Sequence, residues 1–92
     1  MILAAVVECM IYDAHSLKDK RSVVKRITTR IGGSFNISIS EADYHDLWQR
    51  TCFELVTTSP DRVRAERVMD QALALIDSFP EIERTVTDKQ WL

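Results

Sequence analysis

The chain opens with an apolar, β-branched run from Ile2 to Tyr12, broken only by Glu8. Such a run, apolar without alternation, reads as a strand at the centre of a sheet. The period then changes. Leu17, Val23, Val24, Ile27 and Ile31 fall on one face at about 100° per residue, which predicts an amphipathic helix. Ser16 is placed to cap it, and Asp19 three residues on completes a capping box. Gly32-Gly33 is expected to end the helix at Ile31 in the left-handed conformation that Gly adopts without steric cost. Phe35 to Ser40 alternates strictly, the mark of a half-buried strand. Glu41 to Leu47 is polar and reads as a hairpin connection. Trp48 to Thr58 is the next strand, with Phe53 and Leu55 on one face and Arg50, Cys52, Glu54 and Val56 on the other. Ser59-Pro60-Asp61 opens a second helix as N-cap, first-turn proline and dipole-favoured acid. Ala65, Val68, Met69, Ala72, Leu73, Ile76 and Phe79 make its buried stripe, Pro80 stops it, and Ile82 to Trp91 is the last strand.

The order β-α-β-β-α-β predicts an α+β, ferredoxin-like sandwich in which residues 1–92 form a single domain. Right-handed crossovers put both helices on one face of a four-stranded antiparallel sheet and leave the other face uncovered. Composition agrees with a globular domain: of 92 residues, 46% are hydrophobic and 28% charged, unlike a disordered tail. Two Gly leave almost no material for a Gly-rich phosphate loop. No apolar run is long enough for a membrane span. The apolar N-terminus lacks a basic lead and contains Glu8, so a signal peptide is not expected. Cys9 and Cys52 form no CxxC motif and read as reduced thiols of a cytoplasmic protein.

Charge changes the picture more than composition does. The formal net charge is −2, yet between His15 and Ile31 six basic residues face one acid, Asp19. From Phe35 onward eleven acids outnumber six bases. Lys18, Arg21, Lys25 and Arg26 lie within an arc of about 140° on the outer face of the first helix, and Arg30 follows one turn later. Arg21/Lys25 and Arg26/Arg30 are like-charged i,i+4 pairs, each costing an isolated helix roughly 0.2–0.5 kcal/mol. Phosphate contacts would explain that cost; a plain solvated face, balanced by acids of a neighbouring subunit, is the simpler account.

Lys20 stands apart because it projects to the same side as Ile27 and Ile31. Its stem is expected to lie along the core with its ammonium at the helix start, near Asp43, His45 and Asp46, and Asp46 is the expected partner. The group reads either as a small polar site, with Asp13 and His15 joining it, or as a salt-bridged lock between hairpin and helix. Its spacing matches no defined metal site, and neither cysteine is placed to contribute. No nucleophile, base and oxyanion donors come together, so no catalytic residue, metal or cofactor is assigned. The third strand lacks the aromatic pattern of RNA recognition motifs, and the first offers no aromatic before Tyr12, so base stacking on the sheet is not expected. On the uncovered face Glu8 and Arg50 are expected to pair across strands. Val6, Glu8, Met10, Arg50, Cys52 and Val56 make that face apolar enough to favour a partner, a second copy of the chain before others.

Two phrases, Ser16-Leu17-Lys18-Asp19-Lys20-Arg21-Ser22-Val23-Val24-Lys25 and Asp46-Leu47-Trp48-Gln49-Arg50, flank the strand Phe35-Asn36-Ile37-Ser38-Ile39. With them the chain resembles the YlxP-like family of small bacterial proteins over nearly its whole length. That pattern often has His directly after the hairpin Asp, where this chain has Tyr44, and a basic residue before the strand Phe, where it has Ser34. The resemblance implies a ferredoxin-like fold, self-association and a genomic setting among transcription and translation factors, beside a ribosome-binding maturation factor. The resulting expectation is a non-enzymatic cytoplasmic homodimer that associates with the ribosome or structured RNA through Lys18, Arg21, Lys25, Arg26 and Arg30. The alternatives are a small-molecule-sensing module like the ACT domains and a protein-binding adaptor that uses the open sheet.

Overall fold

A computed structural model describes all 92 residues. Strand β1 (Ile2–Ile11) is followed by helix α1 (Leu17–Ser34), strands β2 (Ser38–Asp43) and β3 (Arg50–Thr58), helix α2 (Arg62–Asp77) and strand β4 (Ile82–Trp91). The sheet order is β2-β3-β1-β4 with every neighbouring pair antiparallel. This is the ferredoxin-like arrangement that the element order implied. No helix is long and apolar enough to cross a membrane.

The central strand earns its place by its side chains. Leu3, Ala5, Val7, Cys9 and Ile11 point to the helix side and are fully buried, joined there by Phe53 and Leu55 of β3. Val23, Ile27 and Ile31 of α1 and Ala65, Met69, Ala72, Leu73 and Ile76 of α2 close over them. Alternate residues of β1 line the opposite, open face, where Ile2, Val6 and Met10 stay exposed. Cys9 faces the core and Cys52 the open side, so the two free thiols cannot meet although their strands are neighbours. Burial pushes the Cys9 thiol up to about 12, far from a reactive thiolate.

Several boundaries differ from the sequence expectation, among them the start of β3, which is Arg50 and not Trp48. Gly32 and Gly33 do not form a left-handed cap: neither has a positive φ, and α1 runs on to Ser34. The stop comes instead from Phe35, which turns extended while its amide still donates to the Ile31 carbonyl at 3.1 Å. Strand β2 begins at Ser38 and not Phe35. Asn36 is diverted into side-chain bonds, its carbonyl accepting from Thr57 Oγ1 at 2.6 Å and its amide donating to the Thr58 carbonyl at 3.3 Å. At the other end β2 continues through Glu41 to Asp43, stretching the ladder into what read as a connection. Helix α2 is capped by Asp61, whose carboxylate accepts from the Val63 amide at 3.0 Å. Ser59 supports Asp61 from outside the helix, its Oγ accepting from the Asp61 amide at 3.0 Å. The first cap is half as expected: Ser16 Oγ accepts from Asp19 N at 3.0 Å, but the Asp19 carboxylate accepts from the amide of His15 at 3.2 Å, one residue before the cap of the expected box.

Two bulges interrupt the ladders, one leaving Ala42 extra on β2 and one leaving Thr85 extra on β4. Bulges bend a strand and re-aim its side chains. The first lies next to the most unusual cluster in the molecule.

Candidate functional site

Lys20 sits on α1 among apolar neighbours and its side chain has no exposure to solvent. An ammonium there requires a full set of acceptors. It finds three: the Glu41 carboxylate at 2.7 Å, the Tyr44 carbonyl at 2.7 Å and the His45 carbonyl at 3.2 Å. Glu41 Oε2 also accepts from Thr51 Oγ1 at 2.6 Å, so the carboxylate is tied to β3 as well. Lys20 therefore does lock the first turn of α1 to the β2–β3 hairpin, as its position suggested. The partner is different. Asp46 does not pair with it; Glu41 does, because alternation from Ile37 and Ile39 puts Glu41 on the helix side opposite Phe53, while the bulge at Ala42 carries Asp43 opposite Cys52 on the other face. Asp43, His45 and Asp46 gather no common site either, and no three metal-type side chains converge. Asp43 instead caps the Tyr44 amide at 2.7 Å, and His45 Nε2 lies 3.1 Å from the Glu41 carbonyl.

Tyr44 joins the two faces of the sheet. Its φ of 61° is left-handed, a region costly for a bulky residue and persistent only where surroundings impose it. Here they do: its carbonyl accepts from Lys20 Nζ on the helix side and from Leu47 N at 3.1 Å. Its ring lies over the open side. The hydroxyl donates to Glu8 Oε1 at 2.9 Å, and Arg50 stacks on the ring 4.0 Å from its centre while donating to the same oxygen at 2.8 Å. The expected Glu8–Arg50 pair thus exists, with Tyr44 as an unexpected third member. Hydrogen bonding to Glu8 raises the Tyr44 phenol above its ordinary value. Cys52, expected to offer itself to a partner, is buried between Glu8 and Asp43, and burial raises its thiol too. Val6 and Met10 remain exposed and Val56 half-buried on this face, and Val86 of β4 adds to them.

The sequence signal for Glu41 was present in the alternation: Ile37, Ile39 and Glu41 are i, i+2 and i+4 on one face. Tyr44 left no comparable trace, since its role rests on a backbone carbonyl.

All five cations assigned to the outer face of α1 are exposed. They are not equivalent. Arg26 is paired with Glu81 at 2.5 Å, and that hydrogen bond holds the Glu81 carboxyl below its usual range. Arg30 stacks over Phe79 at 5.5 Å. Lys18, Arg21 and Lys25 have no carboxylate within 4.0 Å. Those three are the free cations of the stripe. Beside them Ser22, Lys25, Arg26, Thr29, Arg30 and Phe79 line a shallow depression of about 430 Å³.

Comparison with known proteins gives a family and a fold. Residues 2–89 match the model of DUF503, described as a protein of unknown function. The chain is 56% identical over 91 residues to the uncharacterized protein YlxP of Bacillus subtilis (strain 168), covering 99% of each. Among solved structures it is similar to the de novo designed protein Foldit4 (TM-score 0.60, 12% identity), covering 100% of this chain and 99% of that one. It is also similar to a C-terminal segment of the alpha subunit of aIF2 from Pyrococcus abyssi (TM-score 0.55, 15% identity), covering 92% of this chain and 48% of that one. At those identities the two structures speak to the fold alone.

Proposed function

The chain belongs to the DUF503 family of proteins of unknown function, and from its geometry we propose a non-enzymatic accessory factor that holds ribosomal or other structured RNA on the outer face of α1. One observation carries this reading. Lys18, Arg21 and Lys25 share an exposed face and have no acidic partner, while seven of the other nine cations are paired or stacked, Arg64 and Arg67 of α2 being the exceptions. Repulsion along that face is a cost to the helix that a polyphosphate relieves. Arg26 and Arg30 border the same depression and take part after Glu81 and Phe79 yield them. Lys20 and Glu41 contribute by fixing how α1 is presented, and touch no phosphate.

The test is binding of ribosomal subunits and ribosomal RNA fragments as a function of salt. Three phosphate contacts give a slope of roughly −2 to −3 in log K against log salt. Charge reversal of Lys18, Arg21 and Lys25 abolishes the salt-dependent part and leaves the melting temperature unchanged. Association that survives the triple reversal at the same salt slope refutes the reading.

A second proposal concerns the open sheet face. Val6, Met10 and Val86 are each more than 40% exposed along one face and flank the Glu8–Tyr44–Arg50 cluster, a surface that suits a cytoplasmic homodimer. Val6→Arg then converts a dimer to a monomer in sedimentation velocity; an unchanged sedimentation coefficient rules that face out.

A further inference from the structure

Arg64 stands in the first turn of α2, where the helix dipole disfavours a cation, and Arg67 three residues on adds like-charge repulsion. Nothing within the chain offsets this. No carboxylate lies within 4.0 Å of the Arg64 guanidinium, and Asp61, three residues earlier, caps the Val63 amide instead. Arg64 borders a cavity of about 480 Å³ where the end of α1, the end of β3 and the start of α2 meet.

The cavity is built by the chain's own hydrogen bonds. Phe35 turns extended to stop α1, and Asn36 then bonds sideways to Thr57 and Thr58, so this segment forms one wall before β2 begins at Ser38. The opposite wall is the β3–α2 connection, which is tied to the chain's first residue. The Ser59 amide donates to the Met1 carbonyl at 3.0 Å, and the Met1 ammonium donates to the Ser59 carbonyl at 2.8 Å. Pro60 fixes the next backbone angle. Phe35 and Val68, half-buried against the core, give an apolar floor. Above it the side chains of Ser34, Thr58 and Gln71, like that of Arg64, make no hydrogen bond within the chain, and Asn36 keeps its amide oxygen free. A preformed cleft with an apolar floor and a few converging, unengaged polar groups is the usual form of a small-molecule site.

Charge narrows the ligand. The lining holds one cation and no acid, so it balances a single negative charge. One guanidinium offers the paired N–H bonds that a carboxylate takes with both oxygens. A phosphate monoester brings a second charge that nothing here meets, and the ammonium of an amino acid finds no carboxylate. The hydroxyls and amides around the floor match hydroxyl groups. We infer that this cavity binds a small hydroxy acid, with its carboxylate on Arg64 and its hydroxyls on Ser34, Asn36, Thr58 and Gln71. The site goes beyond the basic-helix reading and is independent of it, since none of Lys18, Arg21 and Lys25 lines the cavity.

The test is a titration of the isotopically labelled full chain with gluconate, sorbitol and inorganic phosphate, followed through amide chemical shifts. Gluconate shifts the amides of Asn36, Thr58, Arg64 and Ala65 saturably, with a Kd of roughly 1 mM for about a dozen heavy atoms at modest ligand efficiency. Sorbitol has the hydroxyls without the charge and binds roughly tenfold or more weakly. Arg64→Gln, at an exposed position with no partner to lose, keeps the fold and weakens gluconate by roughly 10- to 150-fold. Gluconate that shifts none of these amides, or shifts them equally in Arg64→Gln, overturns the site. Sorbitol bound as tightly as gluconate overturns the part given to Arg64, and phosphate saturating the same amides more tightly than gluconate overturns the carboxylate class. Shifts confined to the amides from Lys18 to Lys25 overturn the site and leave the basic-helix reading intact.

Discussion

Replacing Lys20 by Met keeps most of the buried stem and removes the charge. What is left behind sets the magnitude. The Glu41 carboxylate loses its cation and retains only Thr51, and the Tyr44 and His45 carbonyls lose the donor that holds the left-handed turn. Breaking a buried pair from one side costs about 3–5 kcal/mol, because the surviving charge stays buried without compensation. For a chain of this size that lowers the melting temperature by roughly 4–8 °C per kcal/mol, so by tens of degrees. Glu41→Leu alone is comparably damaging, since it strands the ammonium. The double variant Lys20→Met/Glu41→Leu leaves no charge to compensate, only two carbonyls and the Thr51 hydroxyl, at about 1–3 kcal/mol for an unsatisfied group. It is therefore more stable than either single variant. Urea denaturation with matched m-values measures all four corners of the cycle. If the two single losses add in the double variant, or if Lys20→Met costs less than about 1 kcal/mol, the lock between α1 and the hairpin is wrong.

Gly32→Ala and Gly33→Ala each raise stability by about 0.5–1 kcal/mol in the same assay, because both glycines have helical backbones and an added Cβ meets nothing within 4 Å. A loss at either position refutes the uncapped reading of the α1 terminus. Neither thiol of the native chain reacts with a disulfide reagent at pH 8, and labelling follows unfolding. Cys9 is pushed up to about 12 by burial and Cys52 is raised by the same cause. Fast labelling of Cys52 would mean that the open-face cover does not hold. The Tyr44 phenol is raised by its bond to Glu8, so the neutral form is favoured by folding. Its contribution is complete below the ordinary phenol range and is lost as pH rises through the raised value. Tyr44→Phe thus lowers stability at neutral pH and matches the native chain in strong alkali; a gap that widens with pH refutes the assignment.

The fold was legible because its signals are periodic and local. The run Ile2–Tyr12, the stripe of α1 and the Ser16–Asp19 cap each state a structure within a few residues, and each is found there. Boundaries failed where a side chain from elsewhere decided the outcome. Gly32-Gly33 carries a left-handed allowance that the helix does not use, since Phe35 ends α1 by itself. Glu41 read as loop because an acid on the core side of a strand needs a cation, and that cation lies twenty-one residues earlier. Lys20 announced a buried ammonium through its place among Ile27 and Ile31, yet its acid lay in a segment that read as a connection, and the bulge that turns Asp43 away from the core face has no local signature. Electrostatics split the same way: the cation stripe of α1 was plain, and the withdrawal of Arg26 by Glu81 was not, fifty-five residues separating them.

Tyr44 shows why a pattern of residue types can miss a site. Within the position's backbone the Lys20 clamp uses only the carbonyl, which every residue has, and the left-handed φ, which His tolerates better than Tyr. A His there would supply the same carbonyl. The phenol adds a separate bond, to Glu8 across the sheet, and with it the shelter for Arg50. Two functions thus meet at one position through different atoms: the main chain fixes the hairpin that carries Trp48, and the side chain occupies part of the open face. A partner on that face must accommodate or displace the Tyr44 ring, whose backbone shares its carbonyl with Lys20 and Leu47. The hairpin is therefore the element through which occupancy of the sheet and the placement of α1 are physically connected.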